Sequence, residues 1–230
     1  KNSFDKDSYK DSAYKAYEAM LPVTIGTGKL KERKDVNVII VIDISGSTGE
    51  TFASGSRNTV EDVEKALAIS ILNDLRKEDK AAILAFNTNS YVISELMPVT
   101  QLDLLKVEDK ISRLSFGGGT LISAGLEKAI DILENTEGSK NIILISDGVT
   151  GGLPWDETRI VEGAANGGIK TYTVGVGSST DSKHMQNLAE AGNGIYFEPE
   201  ETQKIKIIFG SSEEQEEKEK NRLEIINNHH

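Results

Sequence analysis

The chain contains no cysteine. That absence removes disulfides and thiolate metal ligands from consideration. It leaves the compartment open, because exported proteins also do without the residue. Proline is scarce, with four in 230 residues, and the hydrophobic fraction is 37%. Both are compatible with a globular core, and the length suits one large α/β domain plus extensions. Basic residues are outnumbered, 26 Lys and Arg against 37 Asp and Glu, for a net charge of −11. An acidic surface argues against unspecific nucleic-acid binding, which rests on neutralising phosphates. No stretch approaches the roughly 18 consecutive apolar residues of a membrane span, and no signal peptide is visible. The start at Lys1 and the closing His229-His230 pair read as the ends of an excised fragment, in which missing targeting signals carry no weight.

One stretch organises what is present. Val38-Ile39-Ile40-Val41-Ile42 is an unbroken apolar run that ends on Asp43, with Ser45 and Ser47 following at alternate positions. Such a run reads as a strand buried on both faces, in the middle of a parallel sheet. Asp43 then stands at the carboxyl end of that strand, where open α/β sheets place their ligand sites. Asp43, Ser45 and Ser47 offer hard oxygen donors with no sulfur or imidazole among them, a set that suits Mg²⁺, Mn²⁺ or Ca²⁺.

The chain on either side repeats a strand–helix alternation. Residues 1–35 form a polar N-terminal extension with Tyr9, Tyr14 and Tyr17, a short candidate strand at Leu21-Pro22-Val23-Thr24-Ile25 and a Gly-rich basic linker. Gly26-Thr27-Gly28-Lys29 is not a phosphate-binding loop: Leu30 stands where the metal-binding Ser or Thr belongs, and no glycine lies five residues before Gly28. After a loop at 45–57, Val60, Val63, Leu67, Ile71 and Leu75 recur at helical spacing, with Asn58 and Glu61 set as a capping box. Ala81 to Phe86 is the next buried strand, Asn87-Thr88-Asn89-Ser90 is turn chemistry, and Tyr91 to Met97 returns as an antiparallel edge. Asp103 caps a helix bearing Leu104, Val107, Ile111 and Leu114. Gly117-Gly118-Gly119-Thr120 precedes a helix at 121–134, and the glycines permit close backbone approach to a ligand. Ile142 to Ile145 is a further strand, ending at Asp147-Gly148. A loop at 148–157 carries the single tryptophan, Trp155, and a helix at 157–167, a strand at 170–176, a helix at 181–191, a strand at 195–197 and a last helix at 201–209 follow. The pattern predicts an α/β fold: three layers, doubly wound, with a mainly parallel central sheet and one antiparallel edge strand. Residues 213–220 carry five acids and two bases with no apolar face and read as a solvated helix or linker within a charged tail at 210–230.

Taken singly, the notable residues have plain roles. Asp43 and the serines could cap a turn, Asp147-Gly148 could be an ordinary turn, and Thr120 could be the N-cap of the helix at 121–134. Taken together, D-x-S-x-S, the Gly-rich threonine and the later strand-end aspartate resemble the metal-ion-dependent adhesion site of von Willebrand factor A (VWA) domains of microbial type. The resemblance covers about Val36 to Phe209. It departs from many microbial relatives at Thr48, where they carry Met, which leaves the ligand set whole.

The resemblance implies a Rossmann-like VWA domain at 36–209 that binds proteins and is not an enzyme. It implies one divalent cation, Mg²⁺ before Mn²⁺ or Ca²⁺. Ser45, Ser47 and Thr120 would coordinate through hydroxyls, and Asp43 and Asp147 mostly through bound waters. A cation held by neutral hydroxyls stays under-neutralised and draws a Glu or Asp carboxylate from a protein partner. Trp155 is a candidate contact at the rim, with burial in the domain's own core as the alternative. The resemblance further implies no nucleic-acid partner and no membrane insertion within this fragment, and the segment 199–209 is the piece to watch for motion of the last helix. The Leu21-Pro22-Val23 lead-in looks like the entry to A domains of membrane-anchored microbial proteins, which places the parent at the cell envelope in preference to a cytoplasmic partner of an ATPase chaperone. Two other readings are weaker. One is a metal-independent interaction module. The other is a hydrolase using Ser45 or Ser47 with His184 as base and Asp147 as orienter, which lacks a nucleophile elbow and a base near the serines.

Overall fold

A computed structural model describes residues 35–49, 59–201 and 204–205. The extension before residue 35, with its Leu21–Ile25 strand, and the tail at 210–230 lie outside the described residues, as does most of the expected last helix.

The apolar run forms β1, Val36–Asp43, with every residue buried. It lies between β2, Lys80–Phe86, and β4, Ser139–Ser146, and is parallel to both. With β3 (Ser90–Pro98), β5 (Ile169–Gly175) and β6 (Tyr196–Phe197), the strand order is β3-β2-β1-β4-β5-β6. Strand alternation sends successive side chains to opposite faces. Val38, Ile40 and Ile42 therefore pack under α1 (Val60–Asp74) and α2 (Leu104–Ser112), against Ala68, Ile71, Leu72, Val107 and Ile111. Ile39 and Val41 face the other layer, built from α3 (Ile122–Glu134), α4 (Pro154–Asn166) and α5 (Ser182–Ala191), through Leu126, Leu133, Val161, Met185 and Leu188. Only a strand covered on both faces can be apolar throughout, which is why the β1 run carries no polar alternation.

The predicted α/β architecture is the one formed, including the antiparallel edge. β3 pairs antiparallel with β2, with register shifts on either side of Ile83. Its residues are half-buried or exposed, and the irregular pairing twists an edge that would otherwise invite another strand.

Two local readings are corrected and one is widened. The capping box at the start of α1 is made by Thr59 and Asp62: the Thr59 hydroxyl accepts from the Asp62 amide (3.2 Å), and the Asp62 carboxylate accepts from the Thr59 amide (3.0 Å). The expected N-x-x-E (Asn58, Glu61) lies one residue earlier; T-x-x-D makes the same reciprocal bonds with Asp in the place usually held by Glu or Gln, and Val60 is buried at the first helical position. The expected 60/63/67/71/75 line does face the core, with Val60, Ile71 and Leu75 buried and Val63 and Leu67 half-buried, but the most buried stripe of α1 also takes in Glu64, Ala68 and Leu72. The loop at 148–157 is shorter than expected, because Pro154 opens α4 and puts Trp155 in its first turn.

The chain leaves β1 to one side for β2 and later returns on the other side as β4. The crevice between the carboxyl ends of β1 and β4 is thus the topological switch point, the usual ligand site of such sheets. Asp43 ends one of these strands and Asp147 directly follows the other.

Candidate metal centre

The backbone after β1 folds back on itself at Asp43. The Ser45 amide donates to Asp43 Oδ1 (2.9 Å), a local turn of the kind aspartate favours. The Ile44 amide still pairs with the Phe86 carbonyl (2.7 Å). A short 3-10 turn over Gly46–Gly49 follows. This turn brings the Ser45 and Ser47 hydroxyl oxygens to 3.1 Å from each other. Ser45 is buried and Ser47 is exposed, so the pair opens outward from the crevice.

The Gly-rich loop is clamped across this turn. The Gly117 amide donates to the Ile44 carbonyl (2.8 Å), and the Gly46 amide donates to the Gly118 carbonyl (3.0 Å). Gly118 has φ +87°, and a Cβ at Gly46 would lie 3.2 Å from the Gly118 carbonyl oxygen. Close approach here needs a bare backbone. Asn87 secures the far side: its Nδ2 donates to the Gly117 carbonyl (3.0 Å), and its own carbonyl accepts from the Leu121 amide (2.8 Å). The N-cap of α3 is Leu121, without a side-chain capping bond. The capping role open to Thr120 is therefore not taken, and the Thr120 carbonyl is held by the Gly151 amide (2.8 Å).

The β4 side contributes two residues. Ser146 Oγ donates to Asp43 Oδ2 (2.7 Å) and accepts from the Gly148 amide (2.9 Å). Asp147 is 6% exposed, its Oδ1 accepts from the Val149 amide (2.9 Å), and its carbonyl accepts from the Asp181 amide (2.8 Å). Both Asp43 oxygens are thus held by the protein. Burial pushes the Asp43 carboxyl up to about 6; the bonds from Ser45 and Ser146 oppose the shift, and the Asp147 charge adds to it.

Five of the expected residues thus surround one crevice: Asp43, Ser45 and Ser47 on one loop, Thr120 on the loop clamped to it, and Asp147 at the neighbouring strand end. All offer hard oxygen, and together they fit a small divalent cation. Among the described residues no three acidic or imidazole side chains group closely enough to hold a metal by themselves. Among the described side chains, the hydroxyls of Ser45, Ser47 and Thr120 are the oxygen donors that would complete the two carboxylates.

Three participants escape sequence reading: Ser146, Asn87 and Glu64. Glu64 projects from the buried face of α1, and neither carboxyl oxygen has a partner among the described residues. Burial, with Asp43 and Asp147 nearby, holds its carboxyl well above the usual carboxylate range.

His184 is placed differently from the surface position usual for a lone helix histidine. It is buried, and its Nε2 lies 2.7 Å from Glu157 Oε2. Thr150 Oγ1 donates to Glu157 Oε1 (2.6 Å), tying the loop after Asp147 to α4 and α5. Trp155 is 58% exposed and does not fill the core. Leu153 (56%) and Val149 (45%), on the loop that follows Asp147, are exposed as well, and Arg159 lies over the Trp155 ring.

The model of the von Willebrand factor type A domain matches residues 37–210. The chain belongs to the VWA family. VWA domains are in general interaction modules that bind protein ligands. Among curated VWA-containing relatives, inter-alpha-trypsin inhibitor heavy chain H1 of Mesocricetus auratus is 27% identical over 189 residues, covering 75% of this chain and 20% of the relative. The chain spans about a fifth of the length of the first curated relatives it matches. A solved aerotolerance-related membrane protein from Bacteroides fragilis has the same VWA fold, with TM-score 0.65 and 17% identity, covering 76% of this chain and 96% of that one. Manganese-loaded TRAP protein of Plasmodium vivax matches with TM-score 0.62 and 14% identity, covering 76% of this chain and 74% of that one. Among the described residues of this VWA domain, no helix is long and apolar enough to cross a membrane.

Proposed function

We propose that this VWA domain binds a protein partner through one divalent cation held by Ser45, Ser47 and Thr120, with Asp43 and Asp147 as carboxylates behind them. The observation that carries the reading is the serine pair, its hydroxyls 3.1 Å apart and clamped by the Gly117–Gly118 loop over a carboxylate bonded on both oxygens. Mg²⁺ is the first choice, with Mn²⁺ or Ca²⁺ as substitutes. When bound, the cation supplies a Lewis-acidic position that a Glu or Asp side chain of the partner completes. The protein's part is to keep the direct ligands neutral, so that the cation's charge stays largely available to that carboxylate. Asp43 and Asp147 are fixed by backbone and hydroxyl donors and hold position without needing the metal.

The reading is one of binding and not catalysis. The imidazole that a serine hydrolase would need is buried against Glu157. The manganese-loaded relative supports a divalent cation in this fold. Val149, Leu153 and Trp155 give the partner an apolar shelf beside the acidic anchor, and an exposed tryptophan is a frequent interface anchor. The membrane protein among the structural relatives supports a parent at the cell envelope.

The test is selection of displayed random peptides on the immobilised domain in Mg²⁺ or Mn²⁺, with elution by chelator. The reading expects eluted peptides to share a Glu or Asp and to lose binding to Thr120→Ala. Enrichment of peptides that lack a carboxylate and resist chelator would replace it with a metal-independent interaction module.

A further inference from the structure

Glu64 stands on the one stripe of α1 that faces the sheet, in line with Val60, Ala68 and Ile71. Val60, a turn earlier, reaches the residues just beyond β5: a Cβ at Gly177 would lie 3.1 Å from Val60 Cγ2. That places the first turns of α1 at the level of the strand ends. Glu64 is fully buried there, and both its carboxyl oxygens lack a hydrogen-bond partner among the described residues. The charges that act on it most are Asp43 and Asp147, the two aspartates of the crevice, followed by Glu61. Among the described residues no basic side chain offsets them. The neighbouring Lys65 is directed elsewhere, to Glu61 (2.7 Å) and to the carbonyls of Ser112 and Leu114.

A buried carboxyl with neither partner nor counter-charge among the described residues is costly as an ion, and a leucine or methionine would fill the same space without that cost. The arrangement makes physical sense if a positive charge arrives beside it. On the reading of the crevice as a cation site, we infer that Glu64 is an outer-sphere carboxylate of that site. It is not a ligand; it acts on the cation through its charge, from behind Asp43 and Asp147. Groups of this kind typically change metal affinity about 10- to 100-fold when removed.

The experiment compares wild type, Glu64→Gln and Asp43→Ala after chelator treatment. Each is titrated calorimetrically with Mn²⁺, and each is melted without metal. Glu64→Gln is expected to be at least as stable as wild type when metal-free, yet to bind Mn²⁺ about 10- to 100-fold more weakly. Equal affinity in Glu64→Gln, with binding lost in Asp43→Ala, would overturn this inference and leave the cation site standing. No Mn²⁺ binding by wild type would overturn both. Glu64→Met, unbranched and apolar, repeats the test without a polar group. A lower metal-free melting temperature in both Glu64 variants would also count against the inference, because it would give the carboxyl a structural role that needs no cation.

Discussion

Replacing Ser146 by alanine removes a single buried hydroxyl that serves two groups. It donates to Asp43 Oδ2 at 2.7 Å and accepts from the Gly148 amide at 2.9 Å. Above pH 6 the first bond has an ionised acceptor, since Asp43 titrates at about 6. Such a bond is worth about 1.5–3 kcal/mol, and the stranded Gly148 amide adds about 1 kcal/mol. The substitution should therefore cost about 3 kcal/mol at pH 7.5. At pH 5 the Asp43 carboxyl is largely protonated, and the bond falls to the neutral value of about 1 kcal/mol. The cost should then drop to about 2 kcal/mol. The assay is urea unfolding of chelator-treated protein at both pH values, read by circular dichroism. A loss below 1 kcal/mol at pH 7.5, or one that does not shrink at pH 5, would refute the view that Ser146 holds an ionised Asp43.

Other expectations follow from the same geometry. The Asp43 pKa is raised from 3.8 to about 6 on folding, so between these values the folded state binds more protons than the unfolded one. Stability of the metal-free protein should fall as pH rises from 4 through 6, by roughly 3 kcal/mol in all. Glu64, a neighbouring carboxyl that burial also holds above the usual range, adds to the trend. Melting curves at stepped pH with chelator test this, and Asp43→Asn should flatten the slope. His184→Ala strands the buried Glu157 carboxyl, which among the described residues keeps only Thr150 as a side-chain donor; a loss of about 3 kcal/mol in urea unfolding is expected. Gly125→Ala sets a helix-propensity gain of about 1 kcal/mol against a Cβ placed 2.8 Å from Phe86 Cδ1 and 2.9 Å from Val41 Cγ1. Overpacking costs of about 1–3 kcal/mol should win, and the melting temperature should fall.

How much of this was legible in the chain depends on the range of the signal. The β1 run announces itself because a strand covered on both faces has no polar alternation, and Asp43 is conspicuous as its first interruption. The glycine before Thr120 and the aspartate after β4 are likewise local signals placed by the strand–helix rhythm. Glu64 was not legible. On α1, Val63 and Leu67 are apolar shoulders that make the 60/63/67/71 line look like the buried stripe, and a glutamate beside them looks solvated. Only packing against β1 and β4 decides which side turns inward. His184 shows the same ambiguity, since Met185 and Leu188 mark the buried face and the histidine shares it through a bond to Glu157, 27 residues away. Ser146 and Asn87 read correctly as a strand end and a turn, but their bonds reach across 103 and 30 residues. Trp155 is different: Pro154 is a good helix-start signal in the sequence itself, and it marks the tryptophan as part of the first turn of α4.

The most direct test of the central claim is calorimetric titration of chelator-stripped protein with Mg²⁺, Mn²⁺ and Ca²⁺, beside Ser45→Ala and Asp43→Ala. The account predicts saturable one-site binding of at least one of the three cations to wild type, and its loss in both variants although they remain folded. Absence of binding for all three, or binding that survives both substitutions, would contradict it.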